Sequence, residues 1–383
     1  MRYSSANMQP PPLSLYIHLP WCVRKCPYCD FNSHAVKEAI PEEQYIAALL
    51  ADLDENLSFI QNRSIETIFF GGGTPSLFSP QSLENLLAGI TTRLKLTENC
   101  EITLEANPGT VESERFKGYR SIGINRLSIG IQSLQESQLK ILGRIHDRAR
   151  ALRAVEMARE GGFDNINIDI MYGLPQQTKT QALTDLEEAT ALQPTHFSWY
   201  QLTIEPNTAF YHSRPTLPLD DAIWDMQTEG QAFLKSYGYQ QYEVSAYSKH
   251  NNACQHNLNY WQFGDYLGIG AGAHSKITID KKIMRHSQVK NPRDYLNPQK
   301  NKTAQSLEIS DKDKIFEFML NALRLTDGVP LSLFTERTGL DTQIIADVLT
   351  QAKNKKLLID DQTLLKPTDL GKRFLNDLII LTM

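Results

Sequence analysis

Residues 16–34 read YIHLPWCVRKCPYCDFNSH, an apolar strand-like run followed at once by Cys22, Cys26 and Cys29. The spacing C-x3-C-x2-C gathers three soft thiolate ligands on one loop. Cys100 and Cys254 stand alone, and an odd, clustered set points to metal or redox chemistry, not to a disulfide framework. Three readings of the loop compete. A thioredoxin-like Cys26–Cys29 pair leaves Cys22 unexplained and lacks a helix starting at the motif. A structural zinc site needs a fourth ligand, with His18, Asp30 or His34 nearest. A [4Fe–4S] cluster on three thiolates leaves one iron open to a small ligand.

Outward from this loop, short apolar runs alternate with stretches of helical period as far as Ile204. Strands are expected at Leu13–Leu19, Glu66–Phe70, Glu101–Ala106, Arg126–Ile131, Ile166–Met171 and His196–Ile204. Most are apolar at successive positions, as strands buried on both faces should be. Helices are expected through Ile46–Ile60, Ser82–Leu94, Val111–Tyr119, Arg150–Arg159 and Ala182–Leu192. Six βα units in a row give a parallel sheet, either doubly wound or a partial barrel. The order shows no switch in direction, which favours an open, partial (β/α)6 barrel within residues 1–300.

Asp220–Tyr237 reads as one more helix, and 239–302 as a mixed segment rich in Tyr, Asn, His and Gly. Asn297–Gln305 reads as a linker to a small C-terminal domain, residues 306–383. There, helices at Lys312–Leu325, Thr342–Lys353 and Leu370–Leu381 and a hairpin within Leu357–Lys366 suggest a winged-helix-like unit. Ser310–Met383 carries ten Lys and Arg against eleven Asp and Glu, so it lacks the basic face a duplex binder needs. It reads as a packing or partner-docking unit.

Composition narrows the function classes. With 383 residues, 41% hydrophobic and 22% charged, the chain is long enough for a large α/β domain plus a small one and is not disordered. A net charge of −5 gives no field for gripping nucleic acid or anionic lipid. No apolar stretch nears the roughly 20 residues of a membrane helix. Met1–Pro12 is polar and proline-rich without a signal-peptide core, so a cytoplasmic location is expected.

The remaining polar motifs fall at strand ends, where parallel α/β folds bind ligands. Gly71–Pro75 reads GGGTP; glycines let a backbone approach a ligand closely, although a tight turn would explain one or two of them. Glu105 suits ribose hydroxyls, or is simply a solvated loop acid. Gln132, Arg144 and Asp169 follow on later elements. Each alone is weak; together they could surround a small zwitterionic nucleotide.

The cysteine spacing after the first strand resembles that of the radical S-adenosylmethionine (SAM) superfamily. In that superfamily the open iron of a [4Fe–4S] cluster chelates the amino and carboxylate groups of SAM. More narrowly, YIHLPWCVRKCPYCDFNSH, FFGGGTPSL, LEANPGT, IGIQS, IDIMYGLPQQT and WYQLTIEPNT resemble the oxygen-independent coproporphyrinogen III oxidase family over nearly the whole chain, the C-terminal domain included. The resemblance implies cluster ligation by Cys22, Cys26 and Cys29. It implies SAM contacts from Tyr16, Gly72, Gly73, Thr74, Glu105, Gln132, Arg144 and Asp169.

Two departures bear on activity. The oxidases carry a further cysteine two residues after the third cluster ligand, where this chain has Phe31, and a longer N-terminal extension. Both departures resemble a paralogous branch of heme chaperones, as does the HNxxYW element at His256–Trp261. In that light His256 is a candidate axial ligand to heme, with Tyr260 and Trp261 as flat apolar surface for the porphyrin. A hydrogen-bonded structural turn is the other reading of the same element. Cys254 is an alternative soft ligand, although a lone cysteine is more often just buried, and His34 reads as structural. Two functions follow. One is a heme carrier with a cluster and SAM, serving heme-requiring acceptor proteins, membrane respiratory enzymes among them. The other is a SAM-cleaving coproporphyrinogen oxidase, against which Phe31 and the short N-terminus count.

Overall fold

In the computed structural model, residues 10–109 and 113–382 are described. Most of Met1–Pro12 and the start of the helix expected from Val111 lie outside them. The first strand, Leu13–Leu19, is buried at six of its seven positions. Such a strand needs partners on both edges and cover on both faces. On one side it pairs in parallel with Ile65–Gly72, with Tyr16 opposite Phe69 and His18 opposite Gly71. From there Leu96–Ala106, Arg126–Gln132, Asn165–Tyr172 and His196–Gln201 follow in chain order, every pair parallel. The order never reverses, as the partial-barrel reading expects.

Helices Glu42–Glu55, Pro80–Thr91, Ser113–Ser121, Arg148–Glu160 and Lys179–Ala191 connect these six strands. Their starts are written in the sequence. Ser79 and Asp147 accept hydrogen bonds from the backbone N–H three residues on, and Thr178 forms a reciprocal capping box with Gln181. The inward stripes, Leu83, Leu86 and Ile90 on one helix and Ala151, Ala154 and Val155 on another, join the strand residues in one apolar core. Each fully buried Leu, Ile or Phe there contributes about 1.5–3 kcal/mol relative to exposure.

The sheet is larger than the six expected strands. A seventh parallel strand, Asp265–Ile269, lies on the other edge of the first. Antiparallel strands His274–Ile279, Lys282–Gln288 and Thr303–Glu308 continue beyond it. Ala246–Ser248 and Gln240–Glu243 extend the opposite end, giving twelve strands. Among the described residues no pairing joins the two outer strands, so the sheet is not closed.

Three local expectations are corrected. Thr303–Gln305, read as the end of a linker, opens an edge strand instead. Its side chains are nearly all exposed, so it carries no apolar alternation to betray it. The last helix is broken at Phe374 into Asp369–Arg373 and Leu375–Ile380. The expected hairpin is reduced to a Leu358–Pro367 bridge, and Leu364–Leu365 pairs instead with Val329–Pro330. A second apolar cluster joins Phe318, Phe334 and Leu378 of this region to Phe263 and Ile283 of the sheet extension.

Candidate functional site

Two neighbouring cavities open where the parallel strands end. The first, about 370 Å³, is lined by Cys22, Cys26 and Cys29 and by seven of the eight residues expected at SAM. Those seven are Gly72, Gly73, Thr74, Glu105, Gln132, Arg144 and Asp169. Tyr16, the eighth, lines the second cavity instead.

The cysteine loop is clamped at its base. Trp21–Cys22 pairs with His34–Ala35, and Val36 N–H donates to the Cys22 carbonyl at 2.8 Å. Cys29 Sγ lies 3.7 Å from Ser33 Oγ, and Arg144 Nη1 lies 3.6 Å from Cys26 Sγ. Burial raises the Cys22 and Cys29 thiols above their ordinary range, so a metal must displace protons to bind them. Among the described residues no three His, Cys, Asp or Glu side chains are packed together as an ion site. The three thiols instead face one common cavity. His18 and His34, the imidazoles a zinc site would draw on, are bonded to Asn32. A donor set of sulfur alone around an open space fits an iron–sulfur cluster and lacks the fourth ligand of closed zinc.

The glycine segment is bound to the same loop. Gly73 N–H donates to the Leu19 carbonyl at 2.8 Å and Thr74 N–H to that of Trp21 at 2.7 Å. Gly72 has φ +118°, and a Cβ there would stand 2.7 Å from His18 Cε1. Both facts demand glycine. Its N–H donates to Glu105 Oε2 at 3.2 Å. Burial, and then the charge of Asp169, push the Glu105 carboxyl up to about 8. Burial also raises Asp169, partly offset by hydrogen bonds from Ser198, Asn167 and Ser128.

Arg144 crosses the cavity wall. Its Nη2 donates to the Gly130 carbonyl at 2.6 Å and to Asn107 Oδ1 at 2.7 Å, so one side chain ties the cysteine loop to two strands. Gln132 holds φ +72°, an uncommon conformation for a residue with a side chain, and its Oε1 accepts from Tyr200 at 2.6 Å.

The second cavity, about 640 Å³, shares Gly72 and Glu105 with the first. Four imidazoles line it: His18, His34, His256 and His274. Tyr260 and Tyr266 add stacked rings 4.6 Å apart. Phe31, 60% exposed, lines both cavities and leaves an aromatic ring at their opening.

His256 sits on the short helix Gln255–Trp261. The Glu101 carboxylate accepts from the Gln255 and His256 N–H groups, each at 3.1 Å, satisfying donors at the helix start. Asn259 Nδ2 donates to Ser14 Oγ at 2.8 Å and to the Asp265 carbonyl at 2.9 Å. Part of the HNLNYW element is therefore a hydrogen-bonded structural unit, one of the two readings of the sequence. His256 also lines the cavity, with Nδ1 2.7 Å from Thr67 Oγ1 and no hydrogen bond to Nε2 among the described residues. Burial, and then Arg126, lower its pKa to about 3, so the ring is neutral.

One sequence expectation fails here. Trp261 does not face the cavity with Tyr260. One helical step turns it toward the C-terminal helices, where the Arg324 guanidinium lies 4.3 Å from its ring. Cys254 is fully buried, with Sγ 3.5 Å from Glu101 Oε1, and lines neither cavity, which favours the buried reading of this lone cysteine over the ligand one. His274 has no signal in the sequence, because its cavity neighbours are distant in the chain and no local motif marks it; His18 entered only as a possible zinc ligand and Asn107 only as part of LEANPGT.

The chain is similar to known proteins over most of its length. Residues 16–189 match the Radical SAM superfamily, and residues 309–374 match the HemN C-terminal domain. The chain is 49% identical over 370 residues to the heme chaperone HemW of Escherichia coli strain K12, covering 96% of this chain and 97% of that one. It is 50% identical over 374 residues to heme chaperone HemW of Haemophilus influenzae, with the same coverages. It is 32% identical to that of Bacillus subtilis over 370 residues, covering 95% and 97%. Among solved structures, the coproporphyrinogen III oxidase HemN of Escherichia coli superposes with TM-score 0.82 over 97% of this chain and 90% of that one. At 23% identity that likeness speaks to the fold alone.

Proposed function

Because this chain belongs to the HemW family within the radical SAM superfamily, we propose that it is a heme chaperone: it binds heme and passes it to acceptor proteins. The observation that carries the reading is His256, a neutral imidazole with an unengaged Nε2 in a cavity of about 640 Å³ beside Tyr260 and Tyr266. That volume falls within the roughly 300–1,000 Å³ of small-molecule sites, and neutral imidazole is a common axial ligand to heme iron.

Cys22, Cys26 and Cys29 would hold a [4Fe–4S] cluster. Gly72, Gly73, Thr74, Glu105, Gln132, Arg144 and Asp169 would hold SAM, with Tyr16 acting from the adjoining wall. When bound, a three-thiolate cluster supplies an open iron for the amino and carboxylate groups of SAM. The chain's own residues do the positioning: Arg144 fixes the cysteine loop, and Gly72 presents its backbone to the shared wall. A Glu105 carboxyl held near 8 keeps a proton at neutral pH, which it can donate to a ligand hydroxyl. Acceptors would be heme-requiring proteins, membrane respiratory enzymes among them, met from the cytoplasm. Among the described residues no helix is long and apolar enough to cross a membrane.

Heme titration of anaerobically reconstituted protein, run beside a coproporphyrinogen turnover assay, tests the proposal. We expect saturable heme binding that weakens in His256→Ala, and no protoporphyrinogen. Robust SAM-dependent formation of protoporphyrinogen would replace the carrier with an oxidase.

A further inference from the structure

The second cavity offers four imidazoles, and their hydrogen bonds separate them. Both nitrogens of His18 are committed: Nδ1 to the Tyr16 hydroxyl at 3.0 Å and Nε2 to the Asn32 carbonyl at 2.8 Å. His34 is held by Asn32 Oδ1 at 3.3 Å and by the backbone of Lys290. Neither can turn a lone pair to a metal without giving up bonds that fix the cysteine loop. His256 is held on one side only, by Thr67. His274 makes no side-chain hydrogen bond among the described residues and is exposed at the start of its strand, where it lines the cavity.

An imidazole without a partner, in a cavity that already holds one half-engaged imidazole, has both nitrogens available to a ligand. We propose that His274 is a second ligand to the iron of bound heme, acting with His256 in this cavity. The inference rests on the heme-carrier reading and adds to it a six-coordinate iron, saturated on both faces while in transit. Handing over the heme then requires an acceptor to displace two imidazoles in turn. His274, the more exposed and the one not anchored by a hydrogen bond, is the first to leave.

The full chain, reconstituted anaerobically and titrated with hemin, gives the test through its visible and electron paramagnetic resonance spectra. Wild type should be six-coordinate and low-spin. His274→Ala should fold normally, since the side chain it removes is exposed and unbonded. It should still bind heme, with a high-spin spectrum and an affinity lower on the order of tenfold. Added imidazole should restore the low-spin signature in that variant. A low-spin spectrum unchanged in His274→Ala would overturn the assignment, as would a five-coordinate wild type; either leaves the heme-carrier reading standing. Absence of heme binding by wild type would remove that reading itself, and this one with it.

Discussion

His256 Nδ1 and Thr67 Oγ1 lie 2.7 Å apart, joining a residue of the short helix to the middle of the second parallel strand. The Thr67 hydroxyl gives its proton to Ser14 Oγ at 2.8 Å and so accepts from His256 Nδ1–H. That fixes the tautomer and leaves the lone pair on Nε2. Thr67→Val keeps the shape and removes the acceptor. We expect it to lower stability by about 1–3 kcal/mol and to weaken heme binding, with Thr67→Ser restoring both. Urea denaturation and heme titration of the two variants decide it.

The cluster assignment predicts a sharp division among the five cysteines. Cys22→Ala, Cys26→Ala and Cys29→Ala should each lose cluster iron, whereas Cys100→Ala and Cys254→Ala should retain about four irons per chain. Iron and sulfide analysis after anaerobic reconstitution reads this directly. Retention of a full cluster by any of the first three would remove that residue from the ligand set.

Glu105 gives a pH signature in SAM-free protein. Its carboxyl rises from an ordinary 4.5 in the unfolded chain to about 8 in the fold. The folded state therefore binds the extra proton, and this contribution to stability is full below the unfolded value and lost as pH rises through about 8. Glu105→Gln carries no such charge. Its stability relative to wild type should increase between about pH 5 and about pH 9, measured as the difference in urea midpoints. A constant difference would show that Glu105 is already ionised in the fold.

Lys276 is buried beside Asp265, with Nζ 2.9 Å from Oδ1, and donates to the Phe263 carbonyl at 3.0 Å. Arg63 meets the other carboxylate oxygen at 2.8 Å. Burial alone would raise Asp265, but Lys276, the Thr278 amide and Arg63 hold it below its ordinary range. Lys276→Met strands much of that buried charge and should cost about 3–5 kcal/mol in equilibrium denaturation.

Trp261 should matter to stability and not to heme. Its ring packs with the C-terminal helices beneath Arg324. Trp261→Ala should lower the unfolding midpoint while leaving the absorption spectrum of bound heme unchanged. A shifted heme band would return this ring to the porphyrin site.

The parallel strands were legible because each is a short β-branched or aromatic run buried on both faces, from Leu13–Leu19 to His196–Gln201. The first cavity was legible because chemically unusual residues, three clustered cysteines and a glycine triplet, stand at strand ends. The second was only half legible. His256 lies in a recognisable element, but His18 and His274 become its neighbours only through the pairing of the first strand with Asp265–Ile269, a contact across most of the chain. Tyr260 and Trp261 looked equivalent in sequence and are separated by one helical step. Thr303–Glu308 was missed because an exposed edge strand needs no apolar pattern.

The two neighbours of the first strand set a schedule for synthesis. Ile65–Gly72 follows soon after Leu19, but Asp265–Ile269 leaves the ribosome only after most of the chain has been made. At about 5–20 residues per second, one edge of the nascent strand stays unpaired for roughly 12–50 s. The cysteine loop hangs from the end of that strand, and its Asn32 anchors to the Ala271 and Lys290 carbonyls cannot form earlier either. The three thiols therefore spend their first tens of seconds on an unfinished sheet, open to aggregation along the bare edge and to stray oxidants. Loading of iron and sulfide belongs after translation has passed Lys290, when the loop acquires the contacts that hold its shape.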